Sequence, residues 1–125
     1  MTRAAMFKDE IQEAGFHFLG IYLETKNACI VLLSEGEDQF GTLAVAVPPF
    51  SETSIPSLSS VLMGDRNVTT ARALAEKLAA KTNKIGYVSI YLKSVREADA
   101  APTLLRLFEK VTQAKPIFGA ESVQI

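Results

Sequence analysis

Residues 60–92 read SVLMGDRNVTTARALAEKLAAKTNKIGYVSIYL. Val61-Leu62-Met63 is a short apolar strand that Gly64 ends. Asp65 or Asn67 can cap the following helix by accepting a backbone N–H. Within that helix Val68, Ala71, Leu74, Ala75 and Leu78 recur at three- and four-residue steps and form one apolar stripe. Arg72 and Glu76 are spaced for an i,i+4 pair on the other side. Lys81 and Lys84 suit the negative C-terminal end of the helix dipole, and Asn83 can take the left-handed cap. Residues 85–92 return as a strand, with Val88, Ile90 and Leu92 on one face and Ile85, Tyr87, Ser89 and Tyr91 on the other.

Upstream of this unit the pattern is β throughout. Residues 6–13 alternate Met6, Lys8, Glu10 and Gln12 with Phe7, Asp9, Ile11 and Glu13. A helical face through Phe7, Glu10, Ile11 and Ala14 is also possible, but the alternation and the Ala14-Gly15 turn favour a charged edge strand. Residues 16–24 set Phe16, Phe18, Gly20, Tyr22 and Glu24 against His17, Leu19, Ile21 and Leu23. Residues 28–33 are continuously apolar, the pattern of a strand buried on both faces. A polar hairpin loop at 34–39 leads to a strand at 40–47, with Leu43, Val45 and Val47 on one side and Thr42, Ala44 and Ala46 on the other. Pro48-Pro49 stops it, because proline cannot donate to a ladder. The Ser/Thr/Pro-rich stretch that follows reads as a mobile surface loop. Downstream, Asp99 and Pro102 mark the start of a last helix, striped by Ala101, Leu104, Leu105, Phe108 and Val111 and ended by Pro116. Residues 117–125 form a tail that either adds a short strand or stays loose.

The order β-β-β-β-β-α-β-α predicts an α+β fold, with about six strands in a mostly antiparallel sheet and two α-helices. The 125 residues suit one domain, 1–125, with no repeat or compositional break. Two amphipathic helices can cover one face of the sheet. Its other face ought to alternate with polar residues if it met water, yet 28–33, 40–47 and 85–92 are apolar or small on both sides. The second face therefore needs a cover, either by the sheet folding over into a sandwich or at a dimer interface. The dimer is favoured.

Composition narrows the partners. Thirteen basic against fourteen acidic residues give a net charge of −1, without the basic stripe of a nucleic-acid binder. Cys29 is the sole cysteine, so no intrachain disulfide forms and a reducing compartment fits. The N-terminus carries acids where a signal peptide needs an apolar run, and no apolar run approaches the ~20 residues of a membrane span. A soluble cytoplasmic protein is expected.

No catalytic constellation stands out. His17 is the only histidine and cannot alone build a typical zinc site, so it reads as structural. Cys29 reads as an inert core thiol. Glu35, Glu37 and Asp38 lack the spacing of a calcium loop and read as a solvated hairpin. The hydroxyls between Ser51 and Ser60 have no nearby base. Gly64-Asp-Arg-Asn-Val lacks the second glycine and the Lys-Ser/Thr of a phosphate loop. Tyr87 and Tyr91 could stack on a ligand or on bases, but with no basic groove beside them an interface or core role is favoured. Replacing Val88 or Ile90 with aspartate should abolish folding or dimerisation.

From Gly41-Thr-Leu-Ala-Val through Ser60-Val-Leu-Met-Gly-Asp65, the helix and the apolar strand, the chain resembles the small proteasome assembly chaperones, the third and fourth types and their archaeal-like relatives. The order and spacing of several weak signals over about residues 16–112 carry this resemblance. It implies an antiparallel sheet with two helices and a homo- or heterodimer. It also implies a binding protein, not an enzyme, that uses no cofactor or metal. Such a protein would bind α-type subunits and help order the α-ring of the 20S proteasome. The natural candidates for partner contact are Pro48, Pro49, Phe50, Ile55 and Leu58 in the loop, and Tyr87 and Tyr91 on the strand. Neither nucleic acid nor membrane is an expected partner. A small dimeric scaffold of the roadblock- or longin-like kind is the alternative, and a helix at 4–14 would favour it.

Overall fold

Ala14 and Gly15 both adopt positive φ, 54° and 82°. A two-residue turn of that hand matches the twist of paired strands. It joins β1 (Ala5–Glu13) to β2 (Phe16–Glu24) in full antiparallel register, from Glu13 opposite Phe16 to Ala5 opposite Glu24. The computed structural model describes residues 3–48 and 58–113. β3 (Ala28–Glu35), β4 (Thr42–Ala46) and β5 (Ser59–Met63) precede α1 (Val68–Thr82), β6 (Ile85–Tyr91) and α2 (Glu97–Gln113). The six strands make one sheet in the order β1-β2-β3-β6-β4-β5. Four of its five pairings are antiparallel, and the β3–β6 pair is parallel because β5, α1 and β6 form a crossover that skips β4. This is the expected α+β architecture, and 5–13 is a strand, not the helix a roadblock- or longin-like scaffold would want.

Both helices lie on one face. A Cβ on Gly20 would meet Leu107 of α2, and one on Gly86 would meet Ala75, Leu78 and Ala79 of α1. The strand residues in phase with these glycines form the core: Tyr22, Val31, Leu33, Ala44, Val88 and Ile90 on the sheet, against Leu74, Leu78, Leu104, Leu107 and Phe108 on the helices. Fully burying each large apolar side chain contributes roughly 1.5–3 kcal/mol. The Tyr22 hydroxyl lies 3.5 Å from the Cys29 sulfur inside this core, where burial raises its pKa. Cys29 is a buried thiol.

The two glycines of the family-like stretches have different reasons. At Gly41 a Cβ would overlap the Ile90 carbonyl, so only glycine lets β4 enter beside β6. Gly64 takes φ 94° and lies against Thr42 as the chain leaves β5.

Several local expectations change. α1 starts at Val68, with Asn67 and not Asp65 at the N-cap position, but the expected side-chain cap does not form: Asn67 is left-handed and its side chain makes no cap bond. The carboxylate of Glu97, from the start of α2, instead accepts from the Thr70 N–H (2.8 Å) and hydroxyl (2.7 Å). The end of α1 is as expected, with Asn83 left-handed and its N–H donating to the Ala79 carbonyl. Arg72 and Glu76 both turn to Ser59 on β5 instead of pairing with each other, because the helix packs over that strand and offers a closer partner. Lys84 ties the β2–β3 turn, donating to Glu24 and the Thr25 carbonyl at 2.8 Å each. α2 begins at Glu97, two residues earlier than expected, with Pro102 inside it.

Glu35 is the largest revision. It is only 5% exposed, not part of a solvated hairpin. Its carboxylate accepts from the backbone N–H groups of Lys93, Ser94 and Val95 at 2.8, 2.9 and 3.1 Å, and from the Ser94 hydroxyl. It thereby holds the β6–α2 turn. Burial alone would push this carboxyl up, but the Ser94 hydroxyl and the three N–H groups outweigh it and hold its pKa at about 2.

Pro49, Phe50 and Ile55 lie outside the described residues, as do Pro116 and the tail 117–125. The loop expected over 48–60 is shortened from its far end, since β5 begins at Ser59.

Candidate interaction surface

The strict period of two puts every second strand residue on the face away from the helices. Strand registers align these residues in rows. One row runs Met6, Leu23, Ile30, Tyr87, Val45 and Ser60. The next runs Lys8, Ile21, Leu32, Ser89, Leu43 and Met63. The sheet does not fold over to cover them: among the described residues, α1 and α2 pack on the opposite face. Apart from Ser89, which is buried, the central side chains of these rows are half-buried. A shallow depression of about 360 Å3, lined by Leu23, Ala28, Ile30, Leu43 and Tyr87 among others, marks the middle of this face.

The apolar area widens toward β5. A bulge after Leu43 puts Leu62 out of register, and Leu62 and Met63 are 55% and 53% exposed. Phe40, Val47 and Leu58 are also exposed along this side of the sheet. Toward β1 the character reverses. Lys8, Glu10 and Asp38 rim a second hollow beside Leu19 and Ile21. His17 Nε2 lies 2.5 Å from a Glu10 oxygen. The β1 edge is charged and tied to α2 by Lys110–Asp9 (3.2 Å) and Arg106–Glu13. The Arg106 side chain and the Thr103 hydroxyl, hydrogen-bonded to Glu13, lower its pKa.

The expected partner residues therefore separate. Tyr87 sits at the centre of the open face, opposite Ile30 and Val45. Tyr91 pairs with Ser34 at one end of β6. Pro48 and Leu58 lie together at the far end of the β4–β5 pair, where the Val47 N–H donates to the Leu58 carbonyl (3.0 Å). Leu19, Ile21, Leu32, Leu43 and Met63 belong to the same surface as Tyr87 and were not singled out from sequence as partner residues, although the doubly apolar character of 28–33 and 40–47 was a signal for Leu32 and Leu43.

The depression around Tyr87 includes neither Tyr91 nor His17, and its polar groups are few. Among the described residues no three His, Cys, Asp or Glu side chains converge as a metal site would require. A polar hollow of about 370 Å3 between the start of α1 and the 92–97 turn sets Arg66, Lys93 and Arg96 beside Asp65 and Glu97, the last already committed to Thr70. Among the described residues no helix is long and apolar enough to cross a membrane.

Comparison with known proteins agrees with this arrangement. No curated protein matches the chain by sequence. Among solved structures, the fold is similar to a chain in the crystal structure of a novel chaperone complex for yeast 20S proteasome assembly. The two superpose with a TM-score of 0.65 over 88% of this chain and 93% of the other, at 13% identity, which speaks for the fold. Residues 16–92 match the family described as proteasome assembly chaperone 4. That span runs from β2 through β6, more than half of the chain, and holds Gly41, Gly64 and most of the open face. The chain belongs to the proteasome assembly chaperone 4 family.

Proposed function

We propose that this protein is a non-enzymatic, dimeric chaperone of the cytoplasm that binds α-type subunits and assists assembly of the 20S proteasome α-ring. The observation that carries the reading is the open sheet face, apolar from β2 to β5 and covered by no element among the described residues. An apolar surface of several hundred Å2 is a marked interaction site. The family and the chaperone-complex fold supply the kind of interaction. In this reading Tyr87 and Tyr91 belong to the dimer face. Pro48, Pro49, Phe50, Ile55 and Leu58 remain the candidates for client contact, since Leu58 is 67% exposed at the end of the sheet.

The test is a pull-down of separately produced 20S α-type subunits with the tagged chain. Retention of free α-type subunits or partial rings is the expected result. Failure to retain either, with a folded and dimeric chain as bait, would remove the proteasome from this account.

A further inference from the structure

The cations on the helices and their flanks are not all spent in the same way. Lys77, Lys84, Arg106 and Lys110 each hold an acidic side chain. Arg66 and Lys93 hold none among the described residues, and both line the polar hollow of about 370 Å3 between the start of α1 and the 92–97 turn. Arg96 lines it too, and its contact with Asp99 is long, 3.9 Å between two exposed side chains. An exposed pair of that kind contributes little and leaves the guanidinium free to turn. Two acids share the hollow, Asp65 and Glu97, and Glu97 is already committed to Thr70. We propose that this hollow is a docking site for an acidic peptide segment of a protein partner, with Arg66, Lys93 and Arg96 receiving its carboxylates.

Charge complementarity selects an anionic occupant, and the spent backbone selects a peptide over a small anion. Phosphate and similar ions are usually cradled by backbone N–H groups. Here the N–H groups of Lys93, Ser94 and Val95 already donate to Glu35, and that of Thr70 donates to Glu97. The hollow is left with side-chain charge. Long cationic side chains suit carboxylates spaced along a chain, and arginine can take each one through two N–H groups. Asp65, the remaining acceptor, suits a peptide N–H. The volume falls at the lower end of the roughly 300–1,000 Å3 of small-ligand sites, enough for a short segment. The hollow lies at the C-terminal ends of β5 and β6, the other end of the sheet from Pro48 and Leu58, and between the starts of both helices. It stays accessible when the open face is covered, so it is additional to the contacts proposed above.

Fluorescence anisotropy of a labelled hexaglutamate peptide against the full-length chain at low salt tests the site. Saturable binding is expected, weakened about tenfold in the double variant Arg66→Gln with Lys93→Gln through the loss of two exposed charge pairs. Both side chains are exposed and the Lys93 N–H bond to Glu35 is untouched, so the variant keeps its fold. Lys26→Gln removes an exposed cation in the β2–β3 turn, at the opposite end of the sheet, and should leave binding unchanged. No saturable binding, or an equal loss in Lys26→Gln, would overturn the site. Displacement of the peptide by inorganic phosphate, beyond that caused by sodium chloride at matched ionic strength, would overturn the peptide as its occupant.

Discussion

Replacing Leu32 with aspartate should dissociate the dimer and leave the subunit folded. Leu32 lies on the open face, only half-buried in the single chain. An aspartate there stays close to water and costs the monomer about 1 kcal/mol of strand preference. In the proposed dimer the same charge would lie under the partner without a counter-charge, and each copy would contribute one. A loss of about 4 kcal/mol, a thousandfold in the dissociation constant, is a conservative expectation. Sedimentation together with circular dichroism reads both halves of the prediction. The outcome on the opposite face is the reverse. Val88 and Ile90 are 0% exposed beneath the helices, so Val88→Asp should yield no cooperatively folding protein. The alternative left open by the sequence, loss of folding or loss of dimerisation, is thus assigned by face. A folded Val88→Asp variant, or an unfolded Leu32→Asp variant, would mean that the faces are exchanged.

Glu35→Ala should cost about 3 kcal/mol in urea unfolding, because it strips the acceptor from three backbone N–H groups in a site with little water. The same carboxylate gives the wild type an acid dependence. Its folded pKa of about 2 lies below the 4.5 of a free glutamate. The stabilisation is therefore complete above about pH 4.5 and is lost as pH falls from there toward 2. Its size follows from the shift, about 3 kcal/mol. In Glu35→Gln the acid loss over that window should shrink, and an unchanged pH profile would show that the turn is held by something else.

How far the sequence was legible follows from the range of each interaction. Strand faces were readable because period-two alternation is local: the split of Thr42, Ala44 and Ala46 from Leu43 and Val45 is the one observed. The apolar character of the second face was readable from the doubly apolar strands. The parallel β3–β6 pair was not, since it depends on β6 passing over β4 to reach β3, a choice made by the whole sheet. Contacts made across large sequence separations were also hidden. Glu35 holds a turn some sixty residues away, and Glu97 caps a helix that begins nearly thirty residues earlier. Local rules gave Glu35 only water and assigned Glu97 no partner. The gradient from charged β1 to uncharged β5 appears only when the rows are assembled.

The most direct measurement is sedimentation equilibrium of the unmodified chain across the micromolar range. The open face, acting as a surface for a second copy, predicts a mass twice that of the 13.6 kDa chain. A mass of 13.6 kDa at every concentration would contradict it.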